Sequence, residues 1–276
     1  MLLIFLLLTQ GYVYLITHTG CPSRQPLAVN PDGIPVHISS ADGTAIPALY
    51  YPSLNQAAVV ALGGLDGALG ENLPPVSFLI QAGYGVLQVG SRNCASPSKP
   101  VTLGYRELDD AKAALEFLKD LPEIDHDKIG LIGFSMGAAT AIRLAAQSDQ
   151  VAAVVAEGGY FNLGADILDS DRSPGLIQRL LLYGIEWAYR IQIGADPHTL
   201  SPIEALPELD PVPILLIFGE SETMATRSNR QIEAAGENAQ AWIVPGGSHG
   251  TNYHIDPESY ETKVLSFFEL NLLPVP

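Results

Sequence analysis

Lys128-Ile129-Gly130-Leu131-Ile132-Gly133-Phe134-Ser135-Met136-Gly137-Ala138-Ala139 is the stretch on which the reading of this chain turns. Residues 129–133 are a short apolar run of the length of a buried strand, and small residues at helical spacing begin directly after Ser135. The serine therefore falls at a strand-to-helix corner. Gly133-Phe134-Ser135-Met136-Gly137 is a G-x-S-x-G pattern, in which a strained turn lifts the hydroxyl above the sheet. Its glycines stand where strand and helix come too close for a Cβ. Five residues of this kind also arise by chance, so the weight lies in their position between a strand and an Ala-rich helix.

Outward from this corner, apolar runs alternate with helical patterns. Strands are expected at 36–40, 45–51, 57–62, 85–89, 129–133, 151–156, 214–218 and 241–244, and helices over 76–82, 105–118, 136–146, 227–235 and 259–270. Asp42-Gly43 between the first two runs signals an antiparallel hairpin. The later strands, apolar throughout and separated by helices, imply a parallel sheet covered on both faces. The expected fold class is therefore α/β: a mostly parallel eight-stranded sheet opened by an antiparallel hairpin, with helices on both faces. Residues 160–210 break the rhythm and are expected to form a short helical lid. A helix within 173–193 carries Leu176, Leu180, Tyr183, Trp187 and Ile191 on its apolar side.

The 276 residues, 47% hydrophobic and 16% charged, suit one globular domain, expected over 36–276. Thirty acidic against fourteen basic residues, a net charge of -16, leave no basic stripe for phosphates and argue against nucleic-acid binding. Cys21 and Cys94 make no disulfide framework and match no metal-ligand spacing. Residues 1–21 differ in kind from the rest. Positions 1–16 carry no charged side chain and read as a signal or membrane-anchor segment, although at ~1.5 Å per residue they fall short of a ~30 Å hydrocarbon core. Thr19-Gly20-Cys21 resembles a lipoprotein cleavage site. Export or anchoring is the first expectation for location, with a mis-called start or a buried N-terminal helix, in a cytoplasmic protein, as the alternative. Residues 22–35, punctuated by proline, read as a linker.

A serine hydroxyl becomes a nucleophile when a base takes its proton, and the base needs a third group to orient it. His249, in Gly246-Gly247-Ser248-His249-Gly250 just past the last strand, is the expected base. His254 is its nearest competitor. His18, His37, His126 and His198 fall in the leader, the hairpin, a turn and the lid. The orienting carboxylate belongs at the end of strand 214–218, where strand termini converge on the top of the sheet. Gly219-Glu220-Ser221-Glu222-Thr223 offers Glu222 first and Glu220 second, and Glu157, beside the elbow, is a third candidate. Backbone amides of Met136 and of Gly64 or Leu65, in a glycine-rich loop, are expected to bind the oxyanion. No phosphate-cradle motif and no H-E-x-x-H are present. The spacing of His249, His254 and Asp256 fits no zinc site, so neither metal nor organic cofactor is expected.

These residues resemble the α/β-hydrolase superfamily over about 36–270. The carriers are Gly133-Phe134-Ser135-Met136-Gly137, the preceding Asp127-Lys128-Ile129-Gly130, Ser201-Pro202-Ile203 before the seventh strand, Gly247-Ser248-His249-Gly250, and the chain order serine, acid, histidine. Within that superfamily the chain is most similar to small bacterial esterases and thioesterases of the dienelactone-hydrolase-like and acyl-thioesterase-like kind. The resemblance implies a serine hydrolase acting on a small-molecule acyl ester or thioester. It sets the acid three residues after the glycine closing the seventh strand, at Glu222, where most relatives have Asp. Leu62-Gly63-Gly64 replaces the usual His-Gly of the oxyanion loop, and Ser91-Arg92-Asn93-Cys94 departs from the usual Asp-x-Arg-Gly. An acyltransferase or serine peptidase using the same residues, or a binding protein that has lost turnover, are the alternatives.

Overall fold

Strand residues that are apolar on both sides of the pleat need cover on both faces, and this requirement sets the layers of the molecule. The computed structural model describes residues 2–21, 33–69, 74–168, 175–223 and 226–273. Its strands are β1 Ile34–Ser39, β2 Ala45–Tyr51, β3 Ala58–Leu62, β4 Gly85–Val89, β5 Ile129–Phe134, β6 Ala153–Glu157, β7 Ile214–Gly219 and β8 Ala239–Val244. They form one sheet in the order β1-β2-β4-β3-β5-β6-β7-β8. The β1–β2 and β2–β4 pairs are antiparallel and the remainder parallel. This is the α/β-hydrolase arrangement expected from the sequence.

The helices are α1 Leu2–Thr17, α2 Ser77–Gln81, α3 Arg92–Ala95, α4 Glu107–Lys119, α5 Met136–Ala145, α6 Leu163–Leu168, α7 Leu176–Ile193, α8 Pro202–Ala205, α9 Glu220–Thr223, α10 Thr226–Ala235, α11 Asn252–Ile255 and α12 Pro257–Leu272. Alternation along β3 divides the core. Ala58, Val60 and Leu62 pack with α4 and α5 on one face, while Val59 and Ala61 pack with α2 and α12 on the other. β3, β4 and β6 are buried along their whole length, which holds the ends of β3, β5 and β6 rigidly side by side.

The N-terminal part departs from expectation in three ways. First, Cys21 and Cys94 are joined in a disulfide that links the end of the α1 segment to α3, 73 residues on. Spacing in sequence carried no sign of this pair because it is made by tertiary proximity. The bond also occupies the thiol that a lipoprotein reading of Thr19-Gly20-Cys21 requires. Second, α1 lies along α7. A Cβ on Gly184 would stand 2.6 Å from Phe5 Cζ and 2.8 Å from Thr9 Cγ2, and Gln192 Nε2 donates to Gln10 O at 2.8 Å. Val101 N donates to Thr17 O at 2.8 Å, tying the end of α1 to the body. No helix among the described residues is long and apolar enough to cross a membrane. Third, the linker expected at 22–35 lies outside the described residues up to position 32, and its end, Ile34 and Pro35, already belongs to β1.

The region expected to be a lid separates into α6 and α7, with residues 169–174 outside the described set. Its long helix is turned around relative to its apolar stripe. Leu176, Leu180, Tyr183, Trp187 and Ile191 face outward, and the buried side is Gly184, Glu186, Ala188, Tyr189 and Ile193. Small residues let α1 approach, so packing against a helix rather than the sheet decided which side went in.

Candidate active site

The corner at Ser135 is held by backbone contacts that leave no room for side chains. A Cβ on Gly137 would lie 2.0 Å from Leu62 O, and one on Gly133 would lie 2.4 Å from Gly137 O. α5 therefore starts directly against the ends of β3 and β5. Ser135 itself takes φ 54° and ψ -116°, a conformation unfavourable for any L residue, and its N–H donates to Glu157 O at 2.8 Å. The strained turn thus presents the Ser135 hydroxyl at the top of the sheet.

Three expected side chains meet there. His249 Nε2 is 3.1 Å from Ser135 Oγ, and His249 Nδ1 is 2.9 Å from Glu222 Oε1. Glu222 Oε2 accepts from Gly219 N at 2.7 Å, so the carboxylate is pinned to the end of β7. Its hydrogen bond to His249 is the main cause that holds the imidazole above its ordinary pKa, with the charges of Glu222 and Glu157 adding to it and desolvation opposing. The ring of Phe134 lies beside the His249 ring, centroids 4.9 Å apart.

The two alternative acids do other things. Glu220 Oε2 accepts from Gly246 N at 2.8 Å, bracing the start of the histidine loop. Glu157 is fully buried, and its oxygens accept from Asn252 Nδ2 at 2.9 Å and Tyr260 Oη at 2.8 Å. Burial raises its pKa against those two donors. The strand end aims Glu157 into the interior between β6 and α12. His254 is exposed, its ring against Tyr253.

Met136 opens α5, where the first amides of a helix have no intrahelical acceptor. Gly64 adjoins the serine, since a Cβ there would lie 3.6 Å from Ser135 Cβ. The loop holding it is closed by Gly67 N donating to Gly64 O at 3.0 Å, and Leu65 O accepts from Ser91 Oγ at 3.3 Å. A cleft of about 350 Å³ opens beside Ser135, His249 and Glu222, walled by Gly158, Gly159, Tyr160, Phe161 and Asp166 among others. The sequence did not single out these wall residues. Glu157-Gly158-Gly159 was the available signal, a glycine pair directly after a strand: at Gly158, with φ +62°, a Cβ would press on His249 Nδ1 at 3.0 Å.

Among the described residues, one set of metal-type ligands comes together elsewhere, Glu186, Asp196 and His198. The Arg190 guanidinium already pairs with both carboxylates there, at 2.7 and 2.8 Å.

The family model for the alpha/beta hydrolase family matches residues 64–261. The chain belongs to the alpha/beta hydrolase family. Among its relatives, the uncharacterized protein Rv2307c of Mycobacterium tuberculosis is 28% identical over 255 residues, 88% of this chain and 82% of that protein. The uncharacterized protein YfhR of Escherichia coli is 23% identical over 224 residues, 78% of this chain and 72% of that protein. Among solved structures, the Pyrococcus furiosus esterase Pf2001 superposes with a TM-score of 0.68 at 21% identity, covering 91% of this chain and 97% of that one. At that identity the likeness speaks for the shared fold. Hydrolysis is the activity that membership of the family supports.

Proposed function

We propose that this protein is a serine hydrolase that cleaves a small-molecule carboxylic ester or thioester through an acyl-enzyme. The observation that carries the reading is the unbroken run of hydrogen-bonding contacts from Ser135 Oγ through both His249 nitrogens to Glu222, on a serine held at positive φ. Ser135 Oγ attacks the carbonyl carbon while its proton passes to His249 Nε2. Glu222 steadies the imidazolium. The amides of Met136 and of Gly64 or Leu65 stabilise the oxyanion in the tetrahedral intermediate. Its collapse expels the alcohol or thiol, which leaves with the proton from His249. A water then gives its proton to His249 and attacks the acyl carbon, and collapse of the second tetrahedral intermediate releases the acid as His249 returns that proton to Ser135 Oγ. The cleft admits a small acyl group beside the serine, with Tyr160, Phe161 and Asp166 reading its shape.

The Cys21–Cys94 bond fits a compartment in which thiols are not kept reduced, which supports export over a cytoplasmic location. The functional proposal is tested with a fluorophosphonate probe and p-nitrophenyl esters of graded chain length beside acyl-thioesters. Ser135→Ala is expected to abolish labelling, and His249→Ala to lower turnover by about 10⁴-fold or more. Labelling that survives in the serine variant rejects the assignment. Product analysis with added alcohol or amine acceptors separates hydrolysis from acyl transfer.

A further inference from the structure

Twelve of the seventeen exposed large apolar side chains among the described residues lie on two helices, α1 and α7. Together they expose an apolar area on the order of 1,000 Å², against the ~300–600 Å² of the largest patch on an ordinary monomer. Leu8 and Leu15 stand out from α1, and Leu180, Tyr183, Trp187 and Ile191 form the outward stripe of α7. Leu15 is 69% exposed and Trp187 49%. The stripe adjoins the helix contact, because Tyr183 and Trp187 neighbour Gly184 and Ala188. The two helices run parallel, Phe5 opposite Gly184 and Gln10 opposite Gln192, so their exposed sides form one continuous ridge.

We infer that the α1–α7 ridge is a docking surface for an electrically neutral, zwitterionic lipid bilayer, on which the protein lies without spanning it. The choice of occupant follows from charge and attachment. α1 presents no charged side chain over its 16 residues, so nothing on it must be paired or neutralised on burial. The chain as a whole carries -16, which opposes both an anionic membrane and a second copy of itself brought up to the same face. Tyr12, Tyr14, Tyr183 and Trp187 supply the amphipathic rings that settle at headgroup level. α1 is clamped to α7 and, through Thr17 and the Cys21–Cys94 bond, to the body, so its apolar side is offered flat. Behind the ridge, Val13, Ala188, Tyr189 and Ile193 share a core cluster with Tyr160, which walls the Ser135 cleft. The docked face therefore backs directly onto the wall of the cleft.

The test is flotation of the full chain with phosphatidylcholine vesicles, alongside vesicles containing phosphatidylglycerol, in a Trp242→Phe background so that emission reports Trp187. Flotation with phosphatidylcholine and a blue shift of Trp187 are expected, with no gain from the anionic lipid. The doubly exposed variant Leu180→Glu/Ile191→Glu should partition about tenfold more weakly or worse, with its far-ultraviolet dichroism and melting unchanged. Ser135→Ala should float like the parent, which separates surface docking from the ester-hydrolase reading. Absence of flotation, binding confined to anionic vesicles, or a lipid-free dimer that Leu180→Glu/Ile191→Glu returns to monomer would each overturn the proposal, the last in favour of a self-interface.

Discussion

At the scale of single residues, the most informative atom is His249 Nδ1, which meets the Glu222 carboxylate at 2.9 Å. A histidine works as a base only when neutral, and Glu222 raises its pKa, so the rate should fall with acid from above the ordinary histidine range. Glu222→Gln removes the largest cause of that rise. The acid limb of kcat/KM is then expected to move to lower pH, while the plateau falls by about 10³–10⁴-fold because the imidazolium loses its partner. A full pH profile of both proteins checks this, and an unmoved limb would leave Glu222 as a bystander. Gly158 offers a second test at this scale. Its φ of +62° costs an alanine about 1–2 kcal/mol, and the added methyl would sit 3.0 Å from His249 Nδ1 and 3.1 Å from Glu222 Oε1. Gly158→Ala is expected to lose about 10²-fold in kcat through displacement of that pair, while thermal melting shifts by only a few degrees.

Between elements, Arg92 of Ser91-Arg92-Asn93-Cys94 acts as a strut. Its side chain is 1% exposed, its Nη1 meets Asp110 Oδ1 of α4 at 2.5 Å, and its Nη2 is bonded to Asp42 and Thr44 in the β1–β2 turn. One buried cation thus joins the hairpin, α4 and the segment that carries Cys94. Burial outweighs that pairing at Asp110 and pushes its carboxyl up to about 7. A carboxyl raised in the folded state lends stability that is full below the unfolded pKa and is lost as pH climbs through the folded one. Arg92→Met takes away the attraction that limits this rise. The variant should therefore be destabilised by about 3–5 kcal/mol near pH 8 and by less near pH 5, read from urea unfolding at both. A deficit independent of pH would mean that the Asp42 contact, ionised throughout that window, carries the whole effect.

For the molecule as a whole, the sheet and the Ser135 corner were legible because strand alternation, the Asp42-Gly43 turn and the crowded glycines are local consequences of backbone geometry. Glu222 and His249 were legible for a related reason, since strand ends fix where their loops emerge. The disulfide, the outward stripe of α7 and the Arg92 strut were hidden because each depends on which segments meet in space. The first two share α1, a segment that its own composition marks as a leader. The Cys21–Cys94 bond, closing a loop of 73 residues, is expected to contribute about 2–4 kcal/mol by restricting the unfolded chain. Because it is attached four residues beyond α1, its loss should be felt there first. In Cys21→Ser/Cys94→Ser, amide exchange in β3 and β5 should quicken only by that global loss, while α1 and the α1-facing turns of α7, released locally as well, should quicken by about tenfold more than the strands. A reductant should reproduce that pattern in the parent protein and leave the double variant unaffected. Equal acceleration in α1 and in the central strands would mean instead that α1 unfolds only with the sheet, making it part of the cooperative core rather than an appended helix.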